Sequence, residues 1–273
     1  MKIIVGISNY NDGRFLEKLL PQVIRQGFSD IYVLDDCSSD DSGEIVSKFA
    51  EAKFVTGDSN IGIAGNRNRI MEYIDGSDVI LFLDADIELR IDDVMGKVEK
   101  YFGSDENLAI LGALTLSETD EPMWNNCGYD LGLYSKGFEG ALNEIALKHW
   151  HDDSVMKTVR ELAMGRVGHF EPVRTREVDV INGAFFAIRS DVFREMGGFD
   201  SSFKRYHEET DLCVRVKENG RKVVFTDEII VKHLGKRDDS DREEREEQMR
   251  RSTNYYLKKH YQLNDEQIEK LLR

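Results

Sequence analysis

Apolar residues gather in short unbroken runs along the first part of the chain: Ile3 to Ile7, Ile31 to Leu34, Val79 to Leu83 and Ala109 to Leu116, with a weaker run at Lys53 to Val55. Runs of this length without alternation suit strands buried on both faces of a sheet. Between them the spacing changes. Phe15, Leu16, Leu19, Leu20, Val23 and Ile24 recur at helical intervals after Asn11 and Asp12, which predicts a capped helix that Gly27 stops. Pro21 lies inside that stripe and predicts a kink or a shortened first half. Ile91, Val94, Met95, Val98 and Phe102 form a second helical set. This alternation predicts an α/β fold, with a mostly parallel central sheet and helices on both faces.

From Glu118 to Val178 the pattern weakens. Glycines interrupt faint helical stretches such as Leu142 to Trp150, so an inserted, partly loop-like region is expected. Regular signals return as strands at Val178 to Ile181 and Phe185 to Ile188, a short helix from Asp191 to Met196, and a turn at Gly197 to Asp200. A helix from about Glu208 to Glu218 and strands near Val223 to Phe225 and Ile229 to Val231 follow. Asp238/Arg242, Asp241/Arg245, Glu246/Arg250 and Glu247/Arg251 then place acid four residues before base, the favourable order on a solvated helix. Asn264 with Gln267 reads as a capping pair, and Ile268, Leu271 and Leu272 as a stripe that docks on the body or on a second subunit. The expected division is 1–235 as one domain, split at 116/117 into two halves, with 236–273 as a helical extension.

Composition narrows the functions. The 273 residues carry 37 Lys and Arg against 52 Asp and Glu, a net charge of −15 that disfavours nucleic acid as a partner. The three cysteines, Cys37, Cys127 and Cys213, are far apart, which fits neither a disulfide framework nor a cysteine zinc cage and points to a reducing compartment. The opening apolar run is too short for a signal sequence or a membrane span, so a cytoplasmic location is expected, with at most peripheral membrane contact.

Chemistry gathers at strand ends. Asp84-Ala85-Asp86 follows the run ending at Leu83; carboxylates at i and i+2 on an extended chain can share one divalent cation with a diphosphate. Asp35 to Ser42 supplies either helix caps or a carboxylate that accepts from a base N–H or a ribose hydroxyl. Asn60 to Asn68 is a glycine-bearing turn into a helix and a candidate anion site. The cluster His149-Trp150-His151-Asp152-Asp153 matches no zinc spacing and reads as a solvated loop.

The ordered set NYND, VLDDCSSDDS, NIGIAGNRN and LFLDAD resembles the inverting family-2 glycosyltransferases with the GT-A fold. INGAFFAIR, VFREMGGFD, EETDLCVRVKENG and VKHLGK extend the resemblance to the rhamnosyltransferase-like branch, over roughly residues 1 to 260. The resemblance implies that Ser8 and Asp36 hold uridine, that Arg67 lies near the diphosphate and that Asp84 faces the ribose or sugar. It further implies that Asp86 binds the metal, Mn²⁺ or Mg²⁺, with His233 completing the site. Trp124 is expected at the acceptor. The implied partners are a nucleotide-sugar donor, UDP-linked, and a glycan, lipid-linked or protein acceptor.

For the base, Glu208, Asp211 and Arg215 fall on one side of their helix and read as solvent-facing. Glu209 shares the inward stripe of Leu212, Cys213 and Val216, where a carboxylate without a task is costly. The resemblance points to the same position, although the family usually has Asp there. Two rivals stand beside sugar transfer. A nucleotidyltransferase would need a glycine-rich basic loop where Ser8-Asn9-Tyr10-Asn11 stands, and an inactive sugar-nucleotide or glycan binding protein would not need a base.

Overall fold

A computed structural model describes residues 1–123, 126–128, 174–235 and 242–272. The expected helical stretch at 142–150, the cluster at 149–153, Trp124, Asp238 and Asp241 lie outside them. The apolar runs become β1 (Ile3–Asn9), β2 (Ile31–Asp35), β3 (Ala52–Thr56), β4 (Val79–Asp84) and β6 (Leu108–Leu116); β5 (Ile87–Leu89) is a three-residue strand with no such run behind it. Further strands are β7 (Cys127–Gly128), β8 (Arg176–Val178), β9 (Val180–Ile181), β10 (Phe185–Arg189) and β11 (Lys222–His233). The two strands expected between 223 and 231 are thus one, whose pairing with β6 slips between Thr226 and Ile230. Such a bulge bends the strand. The main sheet runs β3-β2-β1-β4-β10-β6-β11-β5, with β8 also on β11. Strands β1 to β4 are mutually parallel, as are β6 and β11, and β10 is inserted antiparallel between β4 and β6.

Alternation along the strands sends side chains to two cores. Ile3, Val5, Ile7, Leu81 and Leu83 meet α1 (Gly13–Arg25) through Leu16, Leu19, Leu20 and Val23, and α4 (Val94–Ser104) through Val94, Val98 and Phe102. On the opposite face Ile4, Leu34, Ile80 and Phe82 pack with α5 (Ser190–Glu195) and α6 (Glu208–Glu218), using Phe193, Leu212, Cys213 and Val216. Helix α1 runs unbroken through Pro21, contrary to the expected shortening. Its cap also differs: Gly13 N donates to Asp40 Oδ2 at 2.9 Å, and Asp12 supplies no side-chain cap. Asp40 Oδ1 accepts from Ser42 N and Oγ as well, so one carboxylate starts both α1 and α2 (Ser42–Val46).

After β11 the chain forms α7 (Arg242–Tyr261) and α8 (Asp265–Leu272). Asn264 and Gln267 make the reciprocal capping pair, each backbone N–H reaching the other's side-chain oxygen at 2.9 Å. Ile268 is buried. Glu247 pairs with both Arg251 and Arg250, the second at i+3. Among the described residues no helix is long and apolar enough to cross a membrane.

Candidate active site

Because β1, β2, β4, β6 and β11 share one direction, Ser8 and Asn9, Asp35, Asp84 and His233 all arrive at the same edge of the sheet. In open α/β sheets this edge is where ligands bind. Register fixes the neighbours: Ser8 lies opposite both Leu34 and Asp84, and Asn9 opposite Asp35. The loops above β1 and β2 are tied together. Asn11 Oδ1 accepts from Ser39 N, Ser38 Oγ accepts from Asn11 N, and the buried Asp35 accepts from Asn9 Nδ2 at 2.7 Å and from Thr56 Oγ1 at 3.0 Å.

Asp36 is also buried, and its two oxygens accept from Ile61 N at 2.8 Å and Gly62 N at 2.9 Å. Gly62 has φ +85, and a Cβ there would stand 2.6 Å from the Lys204 carbonyl oxygen, so only glycine suits the turn into α3 (Ile63–Asn68). Asp36 therefore clamps the 60–62 loop; it caps neither α1 nor α2.

Asp84, Asp86 and His233 each offer one ligand atom within 4.8 Å of the others, and all three are half-buried. His233 Nε2 lies 3.1 Å from Asp86 Oδ1, and the Leu234 N–H donates to the Asp86 carbonyl at 2.8 Å, which pins the end of β11 to the Asp86 turn. Burial pulls the His233 pKa down, but the hydrogen bond and charge of Asp86, with Asp84 behind it, raise it to about 9. Two carboxylates and an imidazole fit a divalent cation that accepts both oxygen and nitrogen ligands.

Arg67, expected near the diphosphate, is buried and its guanidinium is taken up by protein groups. Its side chain is 1% exposed, and its guanidinium donates to Ser8 Oγ at 3.0 Å, Asp84 Oδ1 at 2.7 Å and the Gly183 carbonyl at 3.0 Å. It also lies 3.4 Å from Glu208 Oε1. Burial opposes its charge, but Asp84, Glu208 and Glu209 together raise its pKa. Gly183 leaves the room for this: a Cβ there would sit 3.2 Å from Arg67 Nη1 and 3.5 Å from Glu209 Cδ. Arg67 thus joins the Asp84 side of the rim to the first turn of α6.

That helix corrects a second expectation. Glu208 is 4% exposed and Asp211 0%, so the side read as solvent-facing is buried. Glu208 faces Arg67, while Asp211 is covered by α7, where it pairs with Lys259 and His260 as well as with Arg215. Glu209 is half-buried, and no described donor reaches its Oε2 or that of Glu208. Burial raises both carboxyls. For Glu208 the charge of Glu209 adds to the rise against Arg67; for Glu209 the helix backbone and Arg67 oppose it. The burial of Asp211 had a signal in the sequence: Val214, three residues on and so on the same side of the helix, lies off the apolar stripe, and it packs with Phe203 and Tyr256 in a small third core.

The arrangement is a half-buried cluster able to hold a cation at one end of a guanidinium bridge and a carboxylate with a raised pKa at the other. The model of Glycosyl transferase family 2 matches residues 4–196. The O-antigen chain rhamnosyltransferase WbaN of Salmonella anatum is 22% identical over 205 residues, 75% of this chain and 56% of its own. An uncharacterized glycosyltransferase, alr2836, of Nostoc sp. is 31% identical over 93 residues, 29% of each chain. The chain thus spans little more than half, or less, of these relatives' lengths. Among solved structures, GalNAc-T7 with UDP, GalNAc and Mn²⁺ aligns at TM-score 0.62 and 16% identity, covering 86% of this chain and 44% of that one. The mannosyltransferase PcManGT from Pyrobaculum calidifontis with GDP-Man and Mn²⁺ gives 0.57 at 14%, covering 86% and 58%. S. aureus TarS 1-349 with UDP gives 0.58 at 15%, covering 94% and 66%. At these identities the likeness concerns the fold, which is GT-A.

Proposed function

The chain belongs to glycosyl transferase family 2, and from that premise we propose that it moves a sugar from a nucleoside diphosphate sugar, UDP-linked, to an acceptor hydroxyl with inversion at the anomeric carbon. The observation that carries the proposal is the rim itself: the Asp84, Asp86 and His233 cluster and the Glu208–Glu209 turn, joined through one buried arginine. Donor handling would fall to residues 1–116 and acceptor handling to 117–235, where Trp124 would meet the acceptor, with helices α7 and α8 appended.

Ser8 and Asp36, at the ends of β1 and β2, would meet the base and ribose, Asp36 through what Ile61 and Gly62 leave of its acceptor capacity, and Asp84 would face the sugar. Asp86 and His233 would hold a divalent cation, which when bound offsets charge on the departing diphosphate. Glu209 removes the proton from the acceptor oxygen as that oxygen forms its bond to the anomeric carbon. The bond from that carbon to the diphosphate breaks on the opposite face, and UDP leaves with the electron pair. A raised pKa makes Glu209 a stronger base than a solvated glutamate, and its place beside Arg67 keeps a charged form available. Arg67 acts from beneath, holding Asp84 and Glu208 in register.

The test is UDP release and product anomer analysis with a panel of sugar nucleotides, with and without Mn²⁺. Release with at least one UDP-sugar and an inverted product are expected, and Glu209→Gln should keep UDP binding while lowering transfer by about 10² to 10⁴-fold. No release with any nucleotide sugar overturns the reading. Full activity in EDTA, or in Asp86→Asn, overturns its metal part.

A further inference from the structure

We propose that helix α7 is a brace that positions Glu209, acting through Lys259 and His260 on Asp211 and through Thr253 and Tyr256 on the turn that starts α6. The inference rests on the reading of Glu209 as the base. Helix α6 begins without a local device: its N-cap residue, His207, makes no side-chain cap, and both Tyr206 and His207 are left-handed, with φ 68 and 66. Two successive non-glycine residues in that region are strained, and they keep the conformation only where the surroundings impose it. Three acids, Glu208, Glu209 and Asp211, stand in the first turn, where the helix dipole favours them but the burial of Glu208 and Asp211 opposes their charge.

Helix α7 supplies what is lacking. His207 Nε2 lies 3.0 Å from Thr253 Oγ1, and its ring stacks on Tyr256 with centroids 5.2 Å apart. Ser252 Oγ donates to the Arg205 carbonyl at 2.6 Å. Asp211, wholly buried, sits 2.6 Å from Lys259 Nζ and 2.8 Å from His260 Nε2, two residues along the chain from Glu209. Lys259 holds Asp200 at 2.6 Å as well, so the loop before α6 and the helix itself hang on one ammonium group. Arg67 holds Glu208 from the sheet side of the same turn. The first turn is thereby gripped from two sides, and one of the grips comes from a helix lying beyond the family match, which ends at residue 196.

The test uses the full chain carrying Lys259→Met, His260→Gln or Thr253→Val, with Lys259→Arg as the conservative control. Donor KM, kcat and UDP affinity are measured beside hydrogen exchange across 206–213. In the first three variants kcat should fall by about 10- to 100-fold at unchanged UDP affinity, exchange at 206–213 should rise while β1 and β4 keep their protection, and Lys259→Arg should recover most of the rate. A kcat within twofold of the wild type per folded molecule, or a parallel loss of UDP affinity, overturns the brace. If the wild type transfers no sugar, the functional reading falls instead, and unchanged exchange at 206–213 in Lys259→Met then overturns the brace separately.

Discussion

Arg67 brings one positive charge to three carboxylates, the half-buried Asp84 and Glu209 and the buried Glu208, which water screens least. Removing it leaves buried acid without a counter-charge. Arg67→Met should cost about 3–5 kcal/mol in urea unfolding at neutral pH. Arg67→Lys should recover little, because an ammonium group cannot reach Ser8, Asp84, Gly183 and Glu208 with one planar fork. A second expectation concerns the rate. A base works only when ionised, and burial raises the Glu209 pKa above the ordinary glutamate value of 4.5. Activity should therefore fail, as pH drops, above that value, and the acid limb of a kcat profile measures it. A limb at or below the ordinary value would place the proton acceptor elsewhere.

At the scale of elements, α6 shows what periodicity reveals and what it hides. Leu212, Cys213 and Val216 marked the face against the sheet, and Glu209 was legible as the acid on that face. A single-helix reading assumes one buried side, however, and the cover over Asp211 comes from α7, some fifty positions later. Strands β1, β2, β4 and β6 were legible because both their faces are apolar and buried. β5 was not, since three residues make no run, and β11 looked like two strands because the polar residues Thr226, Asp227 and Glu228 fall at its bulge. Arg67 carried no mark of its 1% exposure, since an arginine in a polar turn is ordinarily solvated. The helix pair also sets a pH dependence. Burial works against ionised Asp211, but the hydrogen bonds of His260 and Lys259 outweigh it and lower its pKa in the fold. That contribution to stability is complete above the unfolded carboxyl value of about 3.8 and is lost as pH falls through the lower folded value. Asp211→Asn should flatten the acid end of the stability curve, read as urea midpoints from about pH 5 to about pH 2. An unchanged slope would mean that Asp211 is equally acidic unfolded.

At the scale of the whole molecule, the order of strands in space departs from their order along the chain. The four strands β3, β2, β1 and β4 are neighbours and come from the first 84 residues, so they can pair as soon as that length exists. The free edge of β4 waits for β10, which fills the gap between β4 and β6 only when Phe185–Arg189 arrives. On a ribosome adding ~5–20 residues per second, the stretch between Asp84 and Phe185 takes roughly 5–20 s. For that interval a row of unpaired N–H and C=O groups on the apolar strand Val79–Asp84 stays open to any other nascent chain, which makes this strand the point where synthesis itself is most exposed to misassembly.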